Sequence, residues 1–174
     1  MTIESESKTP ISALTWNPHT NGNTVAVAFD DSVKGIDTRS LELHIMATCG
    51  DDCRVALWDL RKTNEPLKVL QDHTHWVWCV KFNPIHDQLI LSAGSDARLF
   101  LNSVESLSSE SIHSLALLPD ENDSPPQENK LGDERLEKME EHEDSVYSCA
   151  WAGNDPWVFA SVSYDGRLRL ILVW

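Results

Sequence analysis

A histidine, a serine and an aspartate, the residue types of a hydrolase triad, occur twice in this chain in the same order and at the same spacing. The two sets are His73, Ser92 and Asp96, and His142, Ser161 and Asp165. In a triad, the serine attacks an acyl group, the histidine takes its proton and the aspartate orients the histidine. One such set serves one site, whereas these sets recur together with the sequence around them. The duplication therefore favours a structural role over catalysis.

A second stretch, from His44 to Arg61, has the composition of a metal site, with two cysteines, three aspartates and a histidine. Structural zinc is usually held by two pairs of Cys or His ligands. Cys49 and Cys53 have no second pair, and the pattern places one on a strand and the other beyond a turn. The chain also lacks a phosphate-binding glycine loop and a unique acid/base pair. We therefore expect no metal, no cofactor and no enzymatic activity.

The surrounding sequence is repetitive. Three segments share apolar residues at i, i+3 and i+5, and each is followed by a proline that would end a strand. These are Ile11/Leu14/Trp16, Val77/Val80/Phe82 and Val146/Cys149/Trp151. An apolar strand and a tight turn with an aspartate then occur four times, with the turn aspartates at Asp30, Asp52, Asp96 and Asp165. The pattern predicts antiparallel strands joined by short turns.

These co-registered copies resemble the WD40 repeat, in which four antiparallel strands form one blade of a β-propeller. Trp58-Asp59 is the intact Trp-Asp dipeptide, and Ile36-Asp37 is a degenerate copy. In WD40 blades a buried network joins the turn Asp, a loop His, a strand Ser or Thr, and the Trp indole. The resemblance places this network on the two sets above and, in one further copy, on Thr48, Asp52 and Trp58. Such a network would lock loops to strands.

The repeat spacing predicts that part of a propeller is missing. The interval between Asp52 and Asp96 equals one repeat of about 40–45 residues, but that between Asp30 and Asp52 is half of one. We therefore expect a half-blade deletion at the 40/41 junction. The result is an all-β chain with about three and a half blades of a ring of about seven. Alone, it would expose two apolar blade faces, which predicts poor solubility.

The sequence divides into four regions. Residues 1–10 are predicted to be disordered, residues 11–104 to form blades, residues 105–139 to be a mostly disordered acidic insertion rich in Ser and Pro, and residues 140–174 to form the last blade. A short acidic helix is predicted over Asp133–Glu141, because Leu136 and Met139 would share one face and Asp133 could cap it.

Charge and hydropathy bear on location and partners. The formal net charge is −14, which disfavours nucleic acid and anionic membrane surfaces. No apolar run is long enough to span a bilayer, and the N-terminus has no signal-peptide pattern. We therefore expect a cytoplasmic protein without direct membrane insertion, whose four cysteines are reduced and mostly buried.

Five strings carry a closer resemblance than the repeat pattern does: Ala47–Cys53, His73–Trp78, His86–Leu89, Glu140–Tyr147 and Asp155–Leu168. Together they resemble one family, the EARP- and GARP-complex-interacting proteins. The resemblance implies a scaffold that binds subunits of these vesicle-tethering complexes in endosomal recycling and endosome-to-trans-Golgi retrograde transport. It further implies that the protein lies peripherally at the trans-Golgi network and recycling endosomes through its partners.

Four residues are candidates for partner binding. Trp76 and Tyr164 are aromatic at positions where the repeat does not require it, which suits interface hot spots; edge packing is the alternative. Trp78 and Trp157 are predicted to be core. The motif Trp58-Asp59-Leu60-Arg61 and its weaker echo ending in Arg39 resemble the motif that docks substrate receptors on the adaptor of cullin-4 ubiquitin ligases. A cullin-4 receptor is therefore the alternative function, and a generic interaction platform is a third.

Overall fold

The computed structural model describes residues 11–16, 24–29, 33–37, 45–59, 61–62, 64–108 and 132–173. Apart from one 3₁₀ turn at Glu105–Leu107, the regular elements in these ranges are β-strands. No helix within them is long and apolar enough to cross a bilayer. The chain divides into two compact units, Met1–His44 and Ile45–Trp174. The prediction of disorder for residues 1–10 lies outside the described ranges.

The first unit contains one antiparallel sheet, sheet A, with the strand order β1-β2-β3. Its strands are β1 (Ile11–Trp16), β2 (Thr24–Phe29) and β3 (Val33–Asp37). The register shifts between Ile11 and Ala13, so β1 carries a bulge near its start. Asp30, the predicted turn aspartate of this copy, lies outside the described residues.

The second unit contains three antiparallel sheets. Sheet B is formed by β4 (Ile45–Cys49), β5 (Val55–Asp59) and β6 (Lys68–Leu70). Sheet C is formed by β7 (Val77–Phe82), β8 (Leu89–Gly94), β9 (Leu99–Ser103) and β10 (Glu134–Met139). Sheet D is formed by β11 (Val146–Trp151), β12 (Val158–Ser163) and β13 (Leu168–Leu172).

The two central strands of sheet C are buried on both faces because sheets B and D pack against this sheet. Strands β8 and β9 are buried at every position, which explains why they are nearly continuous apolar runs. Leu91, Leu101 and Phe159 belong to the core between sheets C and D. Leu57 and Ile90 belong to the core between sheets B and C. In contrast, Leu168, Leu170 and Leu172 of β13 are exposed.

The helix predicted over Asp133–Glu141 is wrong, because this segment forms strand β10. β10 pairs antiparallel with β9, with Met139 opposite Leu99 and Glu134 opposite Ser103. Two apolar residues three apart are a weak helix signal, whereas the free edge of β9 offers a full set of backbone hydrogen bonds. Residues 134–139 therefore belong to the blade, although the sequence assigned them to the insertion.

The all-β prediction is confirmed, since the described sheets have three or four antiparallel strands each. Matching turn aspartates shows that β4 corresponds to β8. Sheet B therefore has no counterpart of β7 among the described residues. The interpretation of this arrangement as a half-blade deletion at 40/41 stays a prediction. All four cysteines are free; Cys79 and Cys149 are buried, while Cys49 and Cys53 are partly exposed.

Candidate functional site

His73 joins two segments of sheet C that are distant in sequence. Its Nδ1 lies 3.0 Å from Asp96 Oδ1, and its Nε2 lies 3.0 Å from Ser92 Oγ. The backbone N–H groups of Thr74 and Arg98 also donate to Asp96. One carboxylate thus holds the loop before β7 to the turn between β8 and β9, and both side chains of the His73–Asp96 pair are almost fully buried.

Sheet D repeats this arrangement. His142 Nδ1 lies 2.9 Å from Asp165 Oδ2, and His142 Nε2 lies 2.9 Å from Ser161 Oγ. The N–H groups of Glu143 and Arg167 donate to Asp165, as Thr74 and Arg98 do to Asp96 in sheet C. The two blades therefore contain the same three-residue network in the same geometry.

Both turn aspartates have a lowered pKa, and the reason is the same in each. Burial works to raise the pKa of Asp96, but hydrogen bonds from His73 and from backbone N–H groups outweigh it. The same balance lowers the pKa of Asp165 to about 2. Both carboxyls are therefore ionised near neutral pH and act as acceptors.

The His–Ser–Asp geometry resembles a triad, yet the serines cannot reach a substrate. Ser92 and Ser161 are each only 1% exposed. A nucleophile must meet its substrate at the protein surface or in an open cavity. The hydroxyls instead satisfy the buried histidine nitrogens, and each set ties a loop, a strand and a turn into one rigid corner.

The third predicted network, in sheet B, is only partly present. Trp58 Nε1 donates to Thr48 Oγ1 at 2.8 Å. Asp52 does not join this pair: its side chain is exposed, and its Oδ1 accepts the N–H of Arg54. Among the described residues no histidine contacts Asp52, and none of them bridges this turn to Thr48. The inclusion of Asp52 in this network is corrected accordingly.

Arg61 forms an ion pair inside its own motif. Its Nε and Nη2 donate to the two carboxylate oxygens of Asp59, at 2.9 and 2.8 Å. Hydrogen bonding to Asp59 raises the pKa of the guanidinium. The Arg61 side chain is 63% exposed, whereas that of Asp59 is buried. Arg39, the corresponding candidate in the first unit, lies outside the described residues.

The aromatic candidates lie at one end of the second unit, where β8 turns into β9 and β12 turns into β13. We call this the turn end. Trp76 immediately precedes β7 and is 46% exposed, and Tyr164 lies in the turn after β12 and is 69% exposed. Their part in partner binding stays a prediction.

Trp78 and Trp157 were predicted to be core, and this is wrong, since they are 49% and 44% exposed. In β7 the flanking residues Val77 and Cys79 are buried, so strand alternation turns Trp78 outward. Its ring packs edge-on against Trp76 with centroids 5.7 Å apart. The period of two was visible in the sequence and would have identified Trp78 as a surface residue.

Tyr147 is a surface residue that was not predicted, although strand alternation would also have identified it. It is the counterpart of Trp78 in sheet D, is 43% exposed, and packs against Tyr164 with ring centroids 4.8 Å apart. Sheets C and D therefore each present an aromatic pair at the turn end. Ser145 Oγ donates to the carbonyl of Ser95 and links the two blades between these pairs.

The described residues contain no group of three or more His, Cys, Asp or Glu side chains that could hold a metal ion. Burial, with smaller contributions from Cys79 and Asp52, raises the pKa of Cys49 to about 12. A metal ligand must be a thiolate. The Cys49 thiol is instead protonated at neutral pH.

Two family models match the chain. The EIPR1 beta-propeller matches residues 15–102, and the WD domain, G-beta repeat, matches residues 133–171. The first match covers half of the chain and includes all of sheet B and most of sheets A and C. The chain belongs to the EIPR1 beta-propeller family. The second match begins at the residue before β10, in agreement with the placement of this strand inside a blade.

Relatives of this family align over most of the chain. The "EARP and GARP complex-interacting protein 1" of Rattus norvegicus is 40% identical over 195 residues, covering 95% of this chain and 50% of the relative. The "EARP-interacting protein 1" of Caenorhabditis elegans is 42% identical, covering 95% and 52%. The "WD repeat-containing protein DWA2" of Arabidopsis thaliana is 36% identical, covering 91% and 48%.

The chain spans about half the length of the curated relatives it matches. The alignment with the rat protein extends over 195 positions, more than the 174 residues of this chain. The rat protein therefore contains segments with no counterpart here.

Proposed function

We propose that this chain is part of a non-catalytic WD40 scaffold that binds the EARP and GARP vesicle-tethering complexes. The names of the rat and worm relatives support the choice of partner. On this proposal the protein acts in endosomal recycling and in endosome-to-trans-Golgi retrograde transport. It stays cytoplasmic and reaches the trans-Golgi network and recycling endosomes through its partners, without inserting into the membrane or binding nucleic acid.

The observation that carries the proposal is the exposed aromatic surface at the turn end. Large aromatic side chains dominate the hot spots of protein interfaces, because they bury much apolar area and lose little conformational entropy. Trp76 and Tyr164 are both exposed and both held by backbone contacts. The Trp76 carbonyl accepts the Ser95 N–H at 2.8 Å, and the Tyr164 N–H donates to the Ser145 carbonyl at 3.1 Å.

The test is capture of purified EARP and GARP complexes on the immobilised chain, quantified by mass spectrometry. Trp76→Ala and Tyr164→Ala are each expected to reduce capture by about thirtyfold or more, the loss typical of a hot spot. Trp157→Ala is the matched control, because Trp157 is equally exposed but lies at the opposite end of the strands, before β12. Equal capture by all variants would show that the turn end is not the binding surface.

A cullin-4 substrate receptor is the second candidate, and the geometry of Arg61 favours keeping it. The two-point contact with Asp59 orients the guanidinium while leaving it largely exposed at the end of β5. Such a fixed, exposed arginine suits recognition by a partner.

Point mutations distinguish the two candidate functions. Under the ligase proposal, Arg61→Ala and Arg39→Ala abolish binding of the cullin-4 adaptor and leave tether capture unchanged. Adaptor capture that persists in both variants would remove this candidate. Recovery of neither adaptor nor tether by the unmodified chain would favour a generic interaction platform.

A further inference from the structure

A cleft of about 380 Å³ opens at the turn end between sheets B and C. Its lining residues are Cys49, Gly50, Asp51, Trp76, Val77 and Trp78. The volume lies near the lower end of the range for ligand clefts, about 300–1,000 Å³. It is therefore large enough for one long side chain but small for an extended ligand.

The two indoles give the cleft an aromatic corner. The rings of Trp76 and Trp78 lie 86° apart with their centroids separated by 5.7 Å, and each is about half exposed. Trp is the aromatic side chain that attracts cations most strongly, because its π-face carries negative potential. Two half-exposed indoles beside one cleft therefore favour a cation over a neutral polar group.

Asp51, from the turn after β4, is the acidic residue among those that line the cleft. Asp51 is exposed, and within the described part of the chain its side chain has no hydrogen-bond or ion-pair partner. Arg54 is the nearest cation along the chain, and it does not line the cleft. Arg98, across the same turn end, is already paired with Glu140 at 2.7 Å. A positive group entering the cleft would therefore meet an unneutralised anion, in a chain whose net charge of −14 attracts cations from a distance.

The walls are fixed in advance by hydrogen bonds between the two sheets. The N–H of Val77 donates to the Gly50 carbonyl at 2.9 Å, which holds the Asp51 turn against the start of β7. On the other side, the Trp78 indole donates to Ser95 Oγ. Because the aromatic corner and the backbone of the Asp51 turn are already in place, a ligand has only the Asp51 side chain to order.

We propose that this cleft binds an arginine side chain presented by a partner protein. The inference rests on the proposed scaffold function, which supplies the partner. Arginine suits the site better than lysine does, because its planar guanidinium stacks on aromatic rings, is weakly hydrated and can donate two parallel hydrogen bonds to Asp51. The rings of Trp76 and Trp78 stack on the face of the guanidinium, and the Asp51 carboxylate accepts hydrogen bonds from its edge.

The boundary between sheets C and D provides an internal contrast. It has Tyr147 at the position of Trp78, but Ser145 at the position of Trp76. Ser95 stands there at the position that Asp51 occupies in sheet B, one residue before the turn aspartate. This boundary therefore lacks both the second ring and the anionic wall, and the proposal assigns no cation to it.

The test uses nuclear magnetic resonance of the full, ¹⁵N-labelled chain, following the indole N–H signals. The probes are N-acetyl-arginine-N-methylamide, its lysine analogue and its neutral citrulline analogue. Arginine is expected to shift the Trp76 and Trp78 signals saturably and citrulline is not. Asp51→Asn, which keeps the side-chain shape, is expected to weaken arginine binding by about fivefold or more, and Trp76→Ala is expected to abolish it.

Tyr164→Ala is the matched control and is expected to bind arginine like the unmodified chain. The Trp157 indole signal, remote from the cleft, reports whether each variant is folded. Equal binding of citrulline, or unchanged binding by Asp51→Asn, would overturn the proposal, and lysine binding as tightly as arginine would overturn the assignment to arginine. If the unmodified chain binds arginine but does not capture the EARP or GARP complex, the scaffold function alone is contradicted. Failure of the arginine site and failure of the scaffold function are therefore distinguishable.

Discussion

Sheets B and C contain the same turn sequence pattern, Gly-Asp-Asp in one and Gly-Ser-Asp in the other, but use the final aspartate in opposite ways. In sheet C, Asp96 is buried and accepts hydrogen bonds from His73 and two backbone N–H groups. In sheet B, Asp52 is exposed and accepts one local N–H. The aspartate alone therefore does not form the network.

The two sheets differ in the segment that comes before the strand pairs β4–β5 and β8–β9. His73 belongs to the loop before β7, and sheet B has no counterpart of β7 within the described residues. No histidine among the described residues pairs with Asp52, and its carboxylate stays in water, because burying an unpaired charge is costly. A turn aspartate is therefore a structural residue only in a blade that supplies its partner.

The largest effect is expected from removing that partner. His73→Ala leaves the ionised Asp96 side chain buried without the ring nitrogen that contacts both of its oxygens. It also removes the histidine partner of Ser92 Oγ. Breaking a buried pair in this way is expected to lower the free energy of unfolding by about 3–5 kcal/mol. Asp52→Ala, the matched change in sheet B, is expected to cost no more than about 0.5 kcal/mol. Urea unfolding followed by tryptophan fluorescence measures both, and similar losses would contradict the contrast.

A second, smaller contrast concerns the two equivalent glycines. A Cβ added at Gly94 would lie 2.8 Å from both His73 Nδ1 and the Trp76 carbonyl, whereas at Gly50 the nearest atom is Asp52 Oδ1 at 3.9 Å. Gly94→Ala is therefore expected to cost about 1–3 kcal/mol through overpacking. Gly50→Ala is expected to be neutral or to stabilise by up to about 1 kcal/mol, through lower entropy of the unfolded chain.

The same urea unfolding experiment compares the two glycine variants. If Gly50→Ala were as destabilising as Gly94→Ala, the two turns would be equally crowded, and the absence of a histidine would not be what distinguishes them.

The smallest expected effect is a change in pH dependence. The pKa of Asp165 is lowered to about 2 by hydrogen bonds that overcome its burial. Because the folded-state pKa lies below the unfolded value of about 3.9, its contribution to stability is complete above that value. It is lost as the pH falls from about 4 towards about 2. Asp165→Asn is expected to flatten the fall in unfolding free energy over this window, and parallel curves for both proteins would be the contrary result.

Much of the fold follows from spacing in the sequence. The recurring apolar triplets mark β7 and β11, and the turn aspartates mark the ends of β8 and β12. These signals are local and periodic, so they can be interpreted without knowing which segments are neighbours in space. The pairing of His73 with Asp96, and of His142 with Asp165, was implied by the resemblance to WD40 blades and is present in both sheets.

The remaining features depend on contacts that no local pattern contains. β10 is a strand because the edge of β9 is available to pair with, although its own sequence has the spacing of a helix. Asp52 is exposed, and no histidine in the part of the chain that the structure describes pairs with it. Trp78 was misjudged from residue type, since a large apolar side chain suggested burial while alternation with Val77 and Cys79 pointed outward.

The pairing of β9 with β10 closes a loop across the acidic segment, and this has a consequence for how the protein can change over evolutionary time. The neck of the loop is held by Lys68, which is 2.7 Å from Asp133, and by Ser106, whose N–H donates to the same carboxylate. The entropy of closing a flexible loop grows only with the logarithm of its length, about 0.6 kcal/mol for each doubling. Residues can therefore be added to or removed from the loop beyond this neck at little thermodynamic cost. The blade tolerates drift in the segment's length and sequence while Asp133 and the two strands stay the same.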